Sequence, residues 1–482
     1  MRIAMLINNT CENDARVIRE ARALSDAGHE VYILAVWATG LAREEVRDGV
    51  TYLRFTLPWH AGQRAAARAE VSQRPAPATP APVTPTPDAT NRTIEGSVRP
   101  PEQRRALAFG LWLVTRYPRA IARRSRKAVQ KLARQMRNAG QKLARRMRNA
   151  GQKLARHALI KGLTPSGLAL ARHARIFHLA LQELQPDVVH AHEMATLLGG
   201  WRYTRNHRAA LVYDSHELEL GRNGFFSDWE KSLRAKAEKF LIRRADAVIT
   251  VCDSIADYLA LHYKIPRPTV VLNSPDDHPL QASATNLRSA LGLDLATPLA
   301  VYVGKVTFNR GIEFGVDALA QYPELHLALV GPRDERVTAR LREQAAALQV
   351  SDRLHIVDPV PHEQVVSFIH SADVSLVLIQ PVCLSYEYCF PNKLLESILG
   401  GVPVLASRLV ELERLVTETG AGLVVPPDDA TAITAGIRQI VANPQAMRAS
   451  AATIARTREK YGWPAQATRL LALYQQLNRN HA

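Results

Sequence analysis

Residues 299–314 read L-A-V-Y-V-G-K-V-T-F-N-R-G-I-E-F. Five apolar residues give way at Gly304 to a polar turn, and helical spacing resumes after Gly311. An unbroken apolar run of that kind suits a strand covered on both faces, the usual state of a strand in a parallel sheet with helical crossovers. Downstream, the runs 325–330, 355–357, 374–379, 403–406 and 422–425 repeat the pattern at helix-length intervals. Upstream, 2–7, 31–36, 187–190, 210–213 and 247–251 do the same, with a helix predicted over 14–27 and ended by Gly28. The expected fold class is therefore α/β, with two doubly wound, Rossmann-like halves. Ligands of such sheets sit beyond the carboxyl ends of the strands, so chemistry is sought in the residues just after each strand.

At 482 residues and 53.4 kDa the chain has room for two or three domains. Its 47% hydrophobic and 22% charged residues are those of a globular protein, and no run approaches the ~18 apolar residues of a bilayer span. The apolar stretch before Asn8 is too short for the core of a secretory signal. Four cysteines (Cys11, Cys252, Cys383, Cys389) without a C-x-x-C pair give neither a disulfide framework nor a zinc ribbon. A cytoplasmic location is the expectation.

The formal net charge of +17 belongs to one segment: residues 102–161 hold 18 Lys and Arg against one Glu, which leaves the rest of the chain neutral. Before it, residues 72–101 carry eight prolines among Ala, Thr and Ser and are expected to form an extended linker. Within the basic segment an eleven-residue repeat begins at Gln130, Gln141 and Gln152, each time as Q-K-L-A-R. Eleven residues make about three helical turns, so Leu132, Leu143 and Leu154 share one stripe with Met136 and Met147, opposite Lys and Arg. A basic amphipathic helix over 102–162 suits an anionic membrane surface, where each cation near lipid phosphate is worth about 1 kcal/mol. A solvated or coiled-coil arm is the plainer alternative. Nucleic acid is not expected as a partner, because the segment has no aromatic residue after Tyr117.

Two constellations in the second half carry chemistry. Gly304 lets a ligand approach the backbone, Lys305 and Arg310 bring two cations, and the helix after Gly311 offers unpaired N–H groups and the positive end of its dipole. That assembly suits a diphosphate; it lacks the P-loop spacing, and a solvated strand-to-helix turn has the same outline. The second is S-Y-E-Y-C-F-P-N-K-L-L-E-S-I-L-G-G-V-P-V at 385–404. Pro391 is expected to open a helix carrying Asn392, Lys393 and Glu396, and Gly400 with Gly401 to close it. A carboxylate there can accept both hydroxyl hydrogen bonds of a ribose, or pair along the helix with Lys393. In the first half, His190 and His192 are two apart on a strand and share a face. His192 can polarise a bond or carry a proton, and an H-x-H pair can also bind metal or sit satisfied in a core. Asp214, His216 and Glu217 follow the next strand, with Asp214 expected to cap a loop; Asp14 and Arg16 follow the first strand, where they either contact substrate or simply cap and flank the helix.

The motifs G-K-(x4)-R-G, P-N-K-L-L-E, G-G-V-P-V and G-A-G-L-V-V-P-P-D-D (420–429) stand in one register with four others in the first half. Those are D-V-V-H-A-H-E (187–193), V-Y-D-S-H-E-L (212–218), R-R-A-D-A-V-I-T-V (243–251) and V-V-L-N-S-P (270–275). Together they resemble glycosyltransferase family 4, retaining enzymes of the GT-B fold, over residues 1–57 and about 173–478. The resemblance implies an acceptor-side domain at 1–272 with an insertion at 60–172, a nucleotide-sugar-binding domain at 273–455, and a C-terminal helix at 456–482 crossing back to the first domain. It also implies roles. Lys305 and Arg310 match the basic pair on the donor diphosphate, Glu396 the ribose carboxylate, and His192 the histidine beside the transferred sugar. Gly304, Tyr388, Asn392 and Lys393 join the donor site; Asp14, Arg16, His216 and Glu217 join the acceptor side.

The family uses no metal and no cofactor beyond its nucleoside diphosphate sugar. Its acceptor here is expected to be a glycan or lipid-linked hydroxyl, in surface polysaccharide or glycolipid synthesis at the inner face of the membrane. Two positions depart from the pattern. The family's first glutamate, eight residues before Glu396, is Tyr388 with Glu387 beside it, and the usual glycine-rich loop after the first strand is N-N-T-C-E-N-D-A-R at 8–16. The implied reaction is same-face attack by the acceptor hydroxyl, with donor phosphate taking its proton and the halves closing about Asn273. A GT-B sugar-nucleotide epimerase and a non-catalytic membrane-associated scaffold are the competing readings.

Overall fold

A computed structural model describes residues 1–56, 165–222, 227–275 and 286–481. The linker at 72–101 and the basic repeat at 102–162 lie outside those residues.

The first half contains β1 (Arg2–Leu6), β2 (Glu30–Val36), β3 (Glu44–Arg47), β4 (Val50–Phe55), β5 (Val188–His192), β6 (Ala210–Ser215), β7 (Ala247–Thr250) and β8 (Thr269–Val270), in the sheet order β3-β4-β2-β1-β5-β6-β7-β8. The second contains β9 (Leu299–Val303), β10 (His326–Val330), β11 (Leu354–Val357), β12 (Val374–Val377), β13 (Val404–Ser407) and β14 (Gly422–Val425), in the order β11-β10-β9-β12-β13-β14. Strands β5, β6 and β9 are buried along their whole length, as the apolar runs require of a sheet covered on both faces. The chain order reverses beside β1 and beside β9, and each reversal opens a crevice at the carboxyl ends of the strands. Two Rossmann-like sheets thus face a cleft, the arrangement of the GT-B fold.

One antiparallel pair, β3 with β4, closes the edge of the first sheet. It has no counterpart among the expected strands, because its residues alternate in burial instead of forming an apolar run. Its signal is the dipeptide Asp48-Gly49: both have positive φ, 51° and 75°, as a two-residue hairpin turn of type I′ demands. The helix Pro165–Leu184 also departs from expectation, since it runs through residue 172, where the insertion was expected to end. A-L-A-R-H-A-R-I-F-H-L-A (169–180) holds one helical period across that point.

Apolar packing ties the elements together. Helix α1 (Ala15–Asp26) turns Val17, Ala21 and Leu24 onto Ile3, Met5 and Ile33, and the final helix Trp463–His481 adds Leu470, Tyr474 and Leu477 to the same cluster. On the other face, Leu197 of α2 (Glu193–Thr204) and Leu241 of α3 (Asp228–Ile242) belong to a cluster that continues into Leu394, Leu395 and Ile398 of the second half. The two halves therefore share apolar contacts and do not meet through polar groups alone.

Candidate functional site

The donor side begins at the turn after β9. Gly304 has φ 108°, and a Cβ there would lie 3.8 Å from Cε and Nζ of Lys393, so the bare backbone of the loop faces that lysine. Gly311 has φ 66° and is the N-cap of α4 (Ile312–Gln321); a Cβ would come 2.2 Å from the Leu378 carbonyl oxygen, which only glycine avoids. Neither α4 nor α5 (Asn392–Leu399), whose N-cap is Pro391, has a side-chain cap. Both helices leave N–H groups for a ligand or water.

Three cations surround this turn. Lys305 is exposed, the Arg310 guanidinium lies 4.7 Å from the centre of the Tyr386 ring, and Lys393 Nζ lies 3.7 Å from the centre of the Tyr302 ring. The Tyr302 hydroxyl donates to the Lys305 carbonyl at 2.8 Å, which fixes that ring beneath the loop. Among the described residues none of the three has a carboxylate within ion-pair distance. Burial, reinforced by Arg310, brings the Lys393 ammonium down to about 7. Burial likewise pushes the Glu396 carboxyl up to about 7, against the pull of Lys393 and Arg19. Glu396 stands 3.6 Å from His362 Nδ1 and is not paired along the helix with Lys393. Arg19 of α1 reaches across from the first half, donating to Asn273 Oδ1 at 2.9 Å with Nη1 3.4 Å from His362 Nε2. Asn392 opens α5 one residue before Lys393.

Tyr388 is the exception among the expected donor residues. Its ring lies 6.3 Å from that of Tyr258, at the margin of the apolar cluster shared by the halves, and its carbonyl accepts from the Cys252 thiol at 3.1 Å. The neighbouring tyrosine, Tyr386, is the one beside Arg310. A short helix, Leu384–Glu387, separates the two side chains in direction, which spacing alone does not reveal.

On the acceptor side, parallel pairing sets His192 of β5 opposite Asp214 of β6. Asp214 Oδ2 lies 3.3 Å from both His192 Nδ1 and His216 Nε2, and those two nitrogens are 3.1 Å apart. Arg16 answers the same carboxylate with two hydrogen bonds, at 2.8 and 2.9 Å, and donates to the Val271 carbonyl at 2.6 Å. Burial favours the neutral acid, but Arg16 and His216 outweigh it and hold Asp214 well below the usual carboxylate range. Burial also works against a charged His216; there the Asp214 carboxylate prevails and raises it. His192, at 1% exposure, stays lowered because burial dominates. His190 is stacked on His192 at 4.3 Å and shares a hydrogen bond of 2.9 Å with the Tyr474 hydroxyl.

These contacts revise two expectations. Arg16 does not line the acceptor surface: it is 3% exposed and committed to Asp214. Asp214 is the centre of a buried charge network and not a loop cap. Asp14 is the residue that caps, accepting weakly from Val17 N at 3.4 Å and from Asn9 Nδ2 at 2.9 Å. His216 is half-buried and is the member of the histidine pair nearer solvent. Glu217 is held by Arg222 at 3.1 Å, and Arg222 also grips Glu193 at 2.7 Å.

Sequence reasoning missed Arg222, Arg19, Tyr302, Tyr386 and Glu20. Arg19 acts across elements far apart in the chain, Arg222 reaches back to Glu193 as well as to the nearby Glu217, and neither tyrosine has a spacing that marks it. Glu20 is fully buried, 3.1 Å from Arg16, and burial pushes its carboxyl up to about 8. Its spacing of four from Arg16 was the available signal. Glu20, His190, His192 and Asp214 bring potential ligand atoms within 4.8 Å of one another. Arg16 already occupies Asp214 and stands against Glu20, so a metal ion would meet a fixed guanidinium charge. The donor set does not fit a cation.

Comparison with known proteins agrees with this geometry. The family model described as Glycosyl transferases group 1 matches residues 283–458, and that of Glycosyltransferase Family 4 matches residues 127–277. The second match starts inside the basic repeat, earlier than the boundary near 173 expected for the resemblance. D-inositol 3-phosphate glycosyltransferase of Corynebacterium efficiens is 25% identical over 309 residues, 60% of this chain and 71% of that protein. In fold, the chain is similar to sucrose-phosphate synthase from Thermosynechococcus elongatus, with a TM-score of 0.65 and 19% identity over the whole of both chains. It is also similar to HepE from Anabaena in complex with UDP, with a TM-score of 0.60 and 14% identity, covering 99% of this chain and 100% of that one.

Proposed function

We propose a specific reaction for this chain, which belongs to the GT-B glycosyltransferases of group 1 and family 4 and uses a nucleotide-sugar donor. The reaction is transfer of the sugar to a hydroxyl of a glycan or lipid-linked acceptor, with retention at the anomeric carbon. The observation that carries it is the set of three cations, Lys305, Arg310 and Lys393, gathered at a glycine turn with no carboxylate of the described residues within ion-pair distance of any of them. A diphosphate is the ligand that such a set completes, and the UDP in the Anabaena complex, a protein of the same fold, is of that class.

Lys305 and Arg310 hold the diphosphate and take up the charge that develops as it leaves, helped by the N–H groups opening α4 and α5. Glu396 accepts from the ribose hydroxyls, with Asn392 and Gly304 lining the same turn. The acceptor hydroxyl attacks on the face from which the diphosphate departs. The bond from anomeric carbon to phosphate oxygen breaks, the bond to the acceptor oxygen forms, and the departing phosphate oxygen takes the hydroxyl proton. His216 meets the substrate, and His192 and Asp214 act through it as positioning residues. Asp14 and Glu217 border the acceptor side.

The domain boundaries at 272 and 455 follow the same reading. The site of action is the inner face of the membrane, with the basic segment 102–162 as one attachment. Among the described residues no helix is long and apolar enough to cross a membrane. Removing 102–161 is expected to leave UDP affinity intact and to weaken sedimentation with anionic vesicles.

The test is product stereochemistry. The purified chain is incubated with a panel of α-linked sugar nucleotides, and the sugar released to water or to added acceptor is followed by proton NMR. Slow release with the α configuration is the expected result. A β product, or interconversion of sugar epimers without release, would overturn the reading.

A further inference from the structure

Helix α3 (Asp228–Ile242) carries a second surface that the reaction does not use. Trp229, Ser232, Lys236, Phe240 and Arg243 follow one another at spacings of three and four, so they form one stripe along the helix and just past its end. All five are exposed, and the two aromatic members are at 50% and 43% exposure. Lys239 flanks the stripe and is also exposed. Soluble surfaces bury rings of this size when they have somewhere to put them, and repeated exposure beside cations marks an interaction face.

The neighbouring end of α2 extends that face. The ring of Trp201 meets Phe240 edge-on at 5.3 Å, Arg205 lies 5.2 Å from the Trp201 ring, and Arg244 lies 3.4 Å from the Phe240 ring. Arg244 also donates to the Phe240 carbonyl at 2.5 Å. The positive charge here is not answered locally. Among the described residues Lys236, Lys239, Arg243, Arg244 and Arg205 have no carboxylate within ion-pair distance. Of the three acids of the helix, Glu230 closes the capping box with Ser227, Glu238 is buried under the hydroxyls of Tyr213 and Tyr263, and Asp228 is exposed in the first turn, away from Lys236, Lys239 and Arg243 at the other end.

We propose that this aromatic and basic face of α3 docks on an anionic lipid surface, with the rings entering the headgroup boundary and the cations meeting lipid phosphate. Charge complementarity selects the occupant. The chain's own basic segment, 18 Lys and Arg against one Glu over 102–161, carries the same sign and cannot neutralise this face. Trp and Phe interleaved with Lys and Arg are what an interfacial helix presents to a bilayer. The surface is separate from the basic segment and does not depend on the assigned reaction.

The test uses the full chain. Flotation with vesicles of phosphatidylcholine alone, and of phosphatidylcholine mixed with phosphatidylglycerol, is compared for the parent and for K236Q/K239Q/R243Q. The expected loss in partition to the anionic vesicles is about a factor of five per cation, roughly a hundredfold for three, with UDP affinity unchanged. In parallel, brominated lipid in the anionic vesicles is expected to quench tryptophan emission of the parent, and Trp229→Phe to remove part of that quenching. Unchanged partition of the triple variant overturns the proposal, and so does quenching that ignores Trp229. Retention of single-stranded RNA homopolymer without retention of anionic vesicles would assign the face to nucleic acid and overturn it equally.

Discussion

Arg16 and Lys393 are both enclosed cations near strand ends, one in each half, and they are neutralised in different ways. Arg16 meets Asp214 through two hydrogen bonds and stands against Glu20, and its charge is met entirely by the protein. Lys393 meets the face of Tyr302 and the backbone of Gly304; Arg310 is its strongest charged neighbour, and Glu396, which acts in the opposite sense, stands outside ion-pair distance. A buried ion pair with satisfied geometry holds a fold in one arrangement, whereas a cation against a ring waits for an anion from outside. The first half is built to stay as it is and the second to change on binding.

The largest effect that would sharpen this contrast is on stability. Asp214→Asn leaves Arg16 buried with half its acceptors, and the expected cost is about 3–5 kcal/mol in denaturant unfolding. Because the folded carboxyl is held below its ordinary range, its contribution is present above about pH 4 and is lost as pH falls through the depressed value. Loss of less than 1 kcal/mol would place the pair among contacts of no consequence. The double variant K305Q/R310Q should behave in the opposite way. Unfolding is expected to shift by no more than about 0.5 kcal/mol, while sugar transfer falls by roughly a hundredfold or more.

Acidity offers a finer cut. The free protein holds both Lys393 and Glu396 near 7, so kcat/KM for the donor should be bell-shaped with both limbs close to neutral. A diphosphate favours the ammonium form, so binding takes up a proton and weakens as pH rises above about 7. The ribose hydroxyls favour the carboxylate form of Glu396, so binding also weakens below about 7. Lys393→Met is expected to remove the alkaline limb and Glu396→Gln the acid limb. A profile unchanged by either would break the assignment. The smallest effect concerns Tyr386→Leu, which takes away the ring beside Arg310. A rise of about threefold to tenfold in donor KM with kcat preserved is expected from a contact of this type.

Much of this contrast was legible in the sequence. Apolar runs that never alternate declared a parallel sheet, and the runs at 299–303 and 422–425 coincide with the strands observed. The G-K-(x4)-R-G and P-N-K-L-L-E motifs delivered Lys305, Arg310, Lys393 and Glu396 because one turn and one helix start hold them, and local spacing fixes local geometry. Tyr388 and Arg16 show where that logic stops. A four-residue helix sends Tyr388 toward Tyr258 and leaves Tyr386 beside Arg310, and no periodicity reports such a short element. Arg16 reads as a flanking cation until Asp214, 198 residues later, is brought beneath it by sheet order. Arg19, His362 and Glu396 likewise meet only because the two halves do.

Whether the second half keeps its cations for a diphosphate is decided by calorimetric titration of UDP into the parent and into K305Q/R310Q, with buffers of different ionisation enthalpy to count protons. Near pH 8 the parent is expected to bind with net proton uptake, and the double variant to bind at least tenfold more weakly with its melting temperature unmoved. Equal affinity in the two proteins would contradict the account.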